Sequence, residues 1–568
     1  MVENRSIMIK SIKLLFGAHG KTDSLNFEPG AVTVFVGPNN SGKSLILREI
    51  EGFCENGKTQ NQLMLEDIDF ELDEDDKFIT QIESLKIKPK PNEALEEGTL
   101  KYGKFNSTKG LLNFKQKRAN LINWKNNDKQ KYCRFYVRMF TSRLGGKERF
   151  NLISDQENSD LKAHPNSILI ALFQDNTKRR EVRDLVFKAF SKYFVIDPTN
   201  MRQLKIMLSD HPPQSDAEEK GWDTPSVEFH KKAKHITEFS DGVQAFVGML
   251  MSVYVGEETI MLVDEPEAFL HPSLSSVLGN KLSGIMSKRD GNLLASTHSP
   301  NFLMGCIQSG KKLNIIRLTY NKEQFPTARL LSPEKVNELF RDPLLRSTGI
   351  IQALFYNSVI VCEADTDRAF YHEINERLLS SGEERGINNC LFVNAQNKQT
   401  IWQIIKPLRE MGIPAAAIVD IDLVKDGGKE CAKVLNAAFV PEGLQETFKS
   451  LRAKIFGLFK GTGKDMKKDG GVEILSEPDR EVCIKFISDL ADYGVFLVPN
   501  GEVESWLKEL GVLSGHGGSW LIKIFEKLGS DPEDPKYVKP HENDVWHFLD
   551  SIRAWVSNEN RKGIPNQN

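Results

Sequence analysis

No apolar run in the 568-residue chain approaches the ~20 residues needed to cross a bilayer as a helix, which sets membrane-spanning classes aside. A signal-peptide layout is missing too. In MVENRSIMIKSIKLLF, Glu3 interrupts the basic region and lysines alternate with the apolar residues. A cytoplasmic location, with no membrane partner, is the expectation. Cysteine is scarce: seven residues, at 54, 133, 306, 362, 390, 431 and 483, with no C-x-x-C pair. That pattern excludes a disulfide framework, speaks against zinc, and fits free thiols in a reducing compartment. Charge of one sign is not in excess either, since the net charge is −3, so the whole molecule is no basic sleeve for nucleic acid. What remains, 40% hydrophobic and 27% charged residues, is ordinary for a globular protein of roughly two to four domains.

Charge is uneven locally. Residues 51–80 carry ten acidic and two basic side chains, and residues 101–150 carry fourteen basic and two acidic ones. The basic stretch also holds Phe105, Phe114, Trp124, Tyr132, Phe135 and Tyr136. Two readings stand: a surface for a phosphate backbone, or a solvated face over an aromatic core.

The most specific motif is Gly37-Pro-Asn-Asn-Ser-Gly-Lys-Ser44, which follows the strand-like run Ala31–Val36 and precedes a helix beginning near Lys43. Gly37, Asn40, Ser41 and Gly42 let successive backbone N–H groups face phosphate oxygens, and the helix start adds positive potential. Lys43 reaches the outer phosphates, and the Ser44 hydroxyl suits magnesium. ATP or GTP binding follows. The run Thr259–Val263 ends in Asp264-Glu265, a buried strand with two carboxylates at the end where open α/β sheets bind ligands. Asp264 would hold magnesium opposite Ser44, and Glu265 would polarise the attacking water. Leu293–Ser299 forms another short strand with His298 at its tip, placed to contact the γ-phosphate. Ser240–Gln244 (SDGVQ) precedes a helix starting near Ala245, where Ser240 and Gly242 could bind an anion.

In this order, the phosphate loop, SDGVQ, VDEPEAFLHP and STHSP resemble the ABC-type ATPase heads of the SMC and DNA-repair class. SDGVQ stands where that class has its signature, with Asp241 in place of a glycine. The resemblance implies ATP-dependent pairing of two heads, each signature capping the other's nucleotide. A magnesium-contacting glutamine loop has only Gln60 and Gln62 as candidates. About 195 residues separate the phosphate loop from the signature, where such proteins carry an insertion. Many prolines and glycines and no sustained heptad predict a compact, mainly helical lobe rather than a coiled coil.

A second α/β unit begins near residue 350. Ser358–Cys362 reads as a buried strand ending in Glu363, and Thr366–Leu378 as a helix. Ala415–Val419 ends in Asp420-Ile421-Asp422, and Val495–Val498 leads to Glu502 and Glu504. Strand alternation would send Asp420 and Asp422 to one face. Such an all-oxygen cluster suits Mg2+ or Mn2+ and phosphodiester cleavage. VIVCEADTD, AAIVDID and VPNGEVES resemble the motifs of a TOPRIM domain, with Ala364 replacing a glycine and Asp365 an extra carboxylate. By that resemblance Glu363 is a metal ligand or general base, and Asp420, Asp422 and Glu504, with Asp367, hold metal. Glu504 is selected over Glu502. Lys523 and Lys527 are candidates for a lysine that some relatives use.

An ABC-type P-loop ATPase head with an inserted mainly helical lobe, followed by a Rossmann-like TOPRIM domain, is the arrangement of the OLD (overcoming lysogenisation defect) family. The expected boundaries are head 1–80 and 236–335, lobe 81–235 for dimerisation or DNA contact, linker 336–350, TOPRIM 351–510, and a helical appendage 511–568 with a disordered end. The resemblance implies an ATP-regulated DNA endonuclease or nickase of bacterial anti-phage defence, acting on double-stranded DNA as a homodimer or higher oligomer. It also implies a helicase, or a reverse transcriptase with its small DNA, as partner. The rivals are a non-catalytic SMC-like DNA-binding or sensor ATPase, and a topoisomerase- or primase-like enzyme. The former keeps TOPRIM as a binding platform, and the latter lacks room for a tyrosine cleavage domain.

Overall fold

Runs such as VTVFV, IMLVD and SVIVC are apolar on both faces, and such strands find cover only inside parallel sheets flanked by helices. The computed structural model describes residues 7–565 apart from 60, 61, 90–92, 163, 322, 323, 342, 344–348, 513 and 514. Two compact units emerge: residues 1–336, short of the stretch 37–39, and residues 337–568.

The first unit is built on a six-stranded sheet: β1 (Val32–Val36), β2 (Thr141–Leu144), β3 (Ile260–Asp264), β4 (Asn292–Ser296), β5 (Leu313–Asn321) and β6 (Gln324–Leu331). Their spatial order is β6-β5-β1-β4-β3-β2. All pairings are parallel except the β5–β6 hairpin. The C-terminal ends of β1, β2, β3 and β4 therefore share one edge, which carries the phosphate loop, Gly145, Glu265 and Thr297. Helix α1 (Lys43–Asn56) follows β1, α2 (Gly146–Asn151) follows β2, and α3 (Asp241–Val255) precedes β3. SDGVQ thus forms the first turn of α3, one turn earlier than expected.

Within 81–235 helix outweighs strand, and the longest described helix, Asn176–Phe190, has 15 residues, so no coiled coil forms there. The region is nonetheless more mixed than the sequence suggested. It holds the hairpin Thr99–Asn106/Gly110–Lys117 and a small antiparallel sheet around Gln203–Ser209. It also contributes β2 to the head's own sheet. TSRL is too short and polar to announce a strand; pairing with β3 makes it one.

The acidic and basic segments neutralise each other. Lys109 pairs with Glu55 (2.6 Å), Arg143 with Glu51 (2.6 Å), Lys125 with Asp75 (2.6 Å), and Lys129 with Asp67 and Asp69 (3.0 Å each). Lys117 meets Glu96 and Arg118 meets Glu83. Beneath them Trp124, Tyr132 and Tyr136 are buried, with Trp124 stacked on Phe135 at 4.9 Å. These contacts fit the reading of a solvated face over an aromatic core.

The second unit carries a four-stranded all-parallel sheet of β7 (Ser358–Cys362), β8 (Cys390–Asn394), β9 (Ala415–Asp420) and β10 (Val495–Val498), in the order β8-β7-β9-β10. Helices α4 (Asp365–Ser380), α5 (Lys398–Glu410) and α6 (Glu442–Thr462) belong to it. So do α7 (Gly518–Leu528) and α8 (Val545–Ser557), which the sequence marked as an appendage. Trp520, Ile524, Trp546, Leu549 and Ile552 share one apolar core with Ile360, Ile418 and Phe496 of the sheet. The tail is held as well: buried Arg409 donates to the carbonyls of Ala415, Tyr493 and Gly563. The expected disorder therefore does not extend to Gly563, because a buried guanidinium needs those acceptors. Of the expected linker, 342 and 344–348 lie outside the described residues, and Pro333–Arg341 is helical. Among the described residues, no helix is long and apolar enough to cross a membrane.

Candidate nucleotide and metal sites

The phosphate loop turns through the left-handed region at Gly37 (φ 143°), Asn40 (φ 61°) and Gly42 (φ 90°). At Gly42 that backbone angle strains any side chain, and a Cβ would also push on the Met64 thioether. The loop delivers Lys43, whose Nζ donates to Ser41 Oγ (3.3 Å). Burial brings the Lys43 pKa down to about 8, against the pull of Glu265, Glu267 and Asp264. The predicted phosphate lysine and the Asp264-Glu265 pair therefore face each other.

Ser296 Oγ donates to Asp264 Oδ1 across the β3–β4 pair. His298 Nε2 lies 3.6 Å from Glu265 Oε1. Burial, and next Lys43, hold His298 below its ordinary value, so it is neutral at pH 7 and its ring can donate one hydrogen bond. Glu267, to which the sequence gave no role, fixes this loop: it accepts from the His298 N–H (2.6 Å) and Thr297 Oγ1 (2.8 Å). Ser240 and Asp241 are exposed at the start of α3, while the Gly242 backbone lies against the Phe269 carbonyl. Gln62 is exposed, and Gln60 lies outside the described residues.

In the second unit, carboxylates meet at the C-terminal edge of the sheet. β9 stops at Asp420, and Ile421–Lys425 winds into a 3-10 turn, so strand alternation does not govern Asp422. The turn still keeps Asp422 beside the others. Burial, then Asp420 and Asp422, push the Glu363 pKa up to about 7. Burial, then Asp420, with Glu363 and Glu504, likewise push Asp367 up to about 7. Asp420 is raised chiefly by burial. Glu502, set aside on sequence, belongs to the same group: it is buried, and burial followed by Glu504 raises it. Glu502, Glu504 and His516 each offer a ligand atom within 4.8 Å of one another. Asp365 turns outward to Arg368 (2.7 Å) instead of joining the cluster.

Two cations answer the acids. Lys467 Nζ lies 2.6 Å from Asp420 Oδ2 and 3.7 Å from Glu502 Oε2. Lys398 Nζ lies 3.3 Å from Asp422 Oδ1. Burial opposes the charge on Lys467, but the bond to Asp420 and the charges of Asp420, Asp422 and Glu363 together outweigh that and raise it. The sequence candidates Lys523 and Lys527 sit on α7 instead. Lys467 comes from KGTGKDMKKDGG, a glycine- and lysine-rich loop whose composition was its one available signal. Glu363 Oε2 is buried without a hydrogen-bond partner. An orphaned carboxylate oxygen within an all-oxygen donor set is what a hard divalent cation fits.

Fold and sites together define a P-loop ATPase joined to a TOPRIM unit. Residues 32–304 match the family described as "AAA domain, putative AbiEii toxin, Type IV TA system", and residues 354–422 match "Overcoming lysogenization defect protein-like, TOPRIM domain". The resemblance to the OLD family is borne out: the chain is similar to Old nuclease of Escherichia phage P2, 23% identical over 309 residues, 48% of this chain and 49% of that protein. Protein ea59 of Escherichia phage lambda is 39% identical over 71 residues, 11% of this chain and 14% of that protein. The chain thus spans about half the length of the first relative and about a seventh of the second. A solved SMC head bound to the C-winged helix domain of ScpA is 13% identical with a TM-score of 0.32, covering 58% of this chain and 99% of that one.

Proposed function

We propose that the chain is an ATP-regulated, divalent-metal-dependent DNA endonuclease or nickase serving bacterial anti-phage defence. The observation that carries this reading is that Glu363, Asp367, Asp420, Asp422 and Glu504 lie close enough to shift one another's ionisation, with the Glu363 Oε2 atom buried and lacking a hydrogen-bond partner. A divalent cation, Mg2+ or Mn2+, held there by Glu363, Asp420, Asp422 and Glu504 would stabilise charge on the phosphodiester oxygens. As an alternative to binding the cation, Glu363, whose pKa without metal is raised to about 7, would accept the proton of the attacking water. Lys467 keeps Asp420 aligned. Lys464 and Lys468 flank it as exposed cations and would draw a DNA phosphate toward the cluster.

Gly37, Asn40, Ser41, Gly42 and Lys43 would hold the ATP phosphates, with Ser44 and Asp264 on its magnesium. Glu265 would orient the attacking water and His298 would contact the γ-phosphate. Ser240 and Gly242 would cap the nucleotide of a second head, making a homodimer or higher oligomer. ATP binding would gate cleavage by fixing that dimer. A helicase, or a reverse transcriptase with its small DNA, is the proposed partner in the cell.

Supercoiled plasmid incubated with the protein, with and without Mg2+ and ATP, tests the reading. Nicked or linear product only with Mg2+ is the expected result. Closed relaxed product would point to topoisomerase chemistry, and unchanged plasmid to a non-catalytic DNA-binding ATPase.

A further inference from the structure

We propose that Arg149 is a positioning residue for ATP hydrolysis, holding the Asp264–Glu265 turn and tying it to helix α3. The inference rests on the reading that the first unit hydrolyses ATP.

Arg149 lies on α2, directly after edge strand β2, and is fully buried. Its Nη2 donates to the carbonyl oxygens of both Asp264 and Glu265, the latter at 2.8 Å. Those two carbonyls bracket the residue proposed to orient water. Glu265 sits at φ 48°, in the left-handed region that non-glycine residues rarely adopt. Such a conformation persists where the surroundings over-determine it, and the two bonds from Nη2 supply that restraint.

Arg149 is also a poor bargain as a purely structural residue. Its Nε and Nη1 are buried without hydrogen-bond partners. Among the described residues no carboxylate forms an ion pair with it, although Glu267, Asp264 and Glu265 act from a distance. A buried cation left half-satisfied beside a catalytic turn marks a position kept for what it does there.

The same short helix touches α3. Gly248, midway along α3, lies so close that a Cβ there would overlap the Arg149 carbonyl oxygen. The Phe150 ring meets the Phe269 ring edge-on at 5.6 Å, and Gly242, in the first turn of α3, lies against the Phe269 carbonyl. Thus α2 bears on α3 and on the Asp264–Phe269 segment at once. A shift of α3, whose exposed start is the surface a second head would engage, would reach the Glu265 carboxylate through Arg149.

Steady-state ATP hydrolysis and ATP binding by the full-length protein test this, with Arg149→Met as the main variant. Turnover should fall about 10- to 100-fold, the cost of a misplaced reacting group, while ATP affinity stays within about threefold. In a Glu265→Gln background Arg149→Met should add no further loss, because Arg149 acts through Glu265. Gly248→Ala, which presses on the same backbone from α3, should also lower turnover and spare affinity, and it decides the question if Arg149→Met does not melt cooperatively. Unchanged turnover, a parallel loss of turnover and affinity, or an additive loss in the Glu265→Gln background would each overturn the proposal. A wild-type protein that binds ATP without turning it over would instead overturn the reading beneath it.

Discussion

Removing the charge at Glu363 should change how stability depends on pH. Burial beside Asp420 and Asp422 lifts the Glu363 carboxyl from an ordinary 4.5 to about 7. A carboxyl raised on folding favours the folded state while protonated. Its contribution is complete below about pH 4.5 and is lost as pH climbs through 7. The rise of about 2.5 pH units corresponds to roughly 2–3 kcal/mol at 1.36 kcal/mol per unit, less some solvent screening. For a unit of this size that is on the order of 5–10 °C in Tm. Calorimetry of the metal-free full-length protein should therefore show the Mg2+-responsive transition falling in temperature between pH 5 and pH 7.5. Mg2+ should restore it at pH 7.5, where the ligands are ionised, and do little at pH 5. Glu363→Gln should flatten the slope and raise the metal-free Tm at pH 7.5. A transition indifferent to pH across that range, or a Glu363→Gln protein with an undiminished slope, would refute an electrostatically crowded cluster. Asp367, also raised to about 7 and in part by Glu363, titrates in the same range, so the pH dependence belongs to the cluster.

Asp420→Ala should abolish plasmid cleavage while leaving ATP affinity intact, as read by nucleotide titration and gel assay side by side. Lys43→Ala should do the converse, eliminating ATP binding while Mn2+ still binds the second unit, measured by calorimetric titration. Lys464→Gln with Lys468→Gln should weaken DNA binding in chelator and shallow its salt dependence by about two phosphate contacts. Lys115→Gln with Lys117→Gln should leave both unchanged, because those lysines already face Glu93 and Glu96.

Much of the site could be read in advance where chemistry is packed into contiguous residues. The phosphate loop, Asp264-Glu265 and Glu363 carry fixed spacings beside apolar strands, and the strands Ser358–Cys362 and Val495–Val498 fall where their apolar runs place them. What escaped depends on contacts distant in sequence. Thr141–Leu144 becomes a strand only because Ile260–Asp264 pairs with it. Lys467 sits in a loop whose composition says turn, and only the fold aims it at Asp420. The basic stretch left two readings open because its partners, Glu51, Glu55, Asp67, Asp69 and Asp75, lie up to 92 residues away. Glu502 failed the motif pattern yet shares a buried acidic neighbourhood with Glu504.

Arg409 and Arg377 reach across the second unit to grip carbonyls at Gly563 and Leu528. Fragment design should respect that grip, because a truncation after residue 510 would strip Trp520, Trp546 and Ile552 from the interior and strand two guanidinium groups in an open cavity. The same dependence imposes timing during synthesis. The carboxylate cluster cannot be held in its finished form until α7, α8 and the stretch through Gly563 have left the ribosome, so the cluster is completed only late in synthesis.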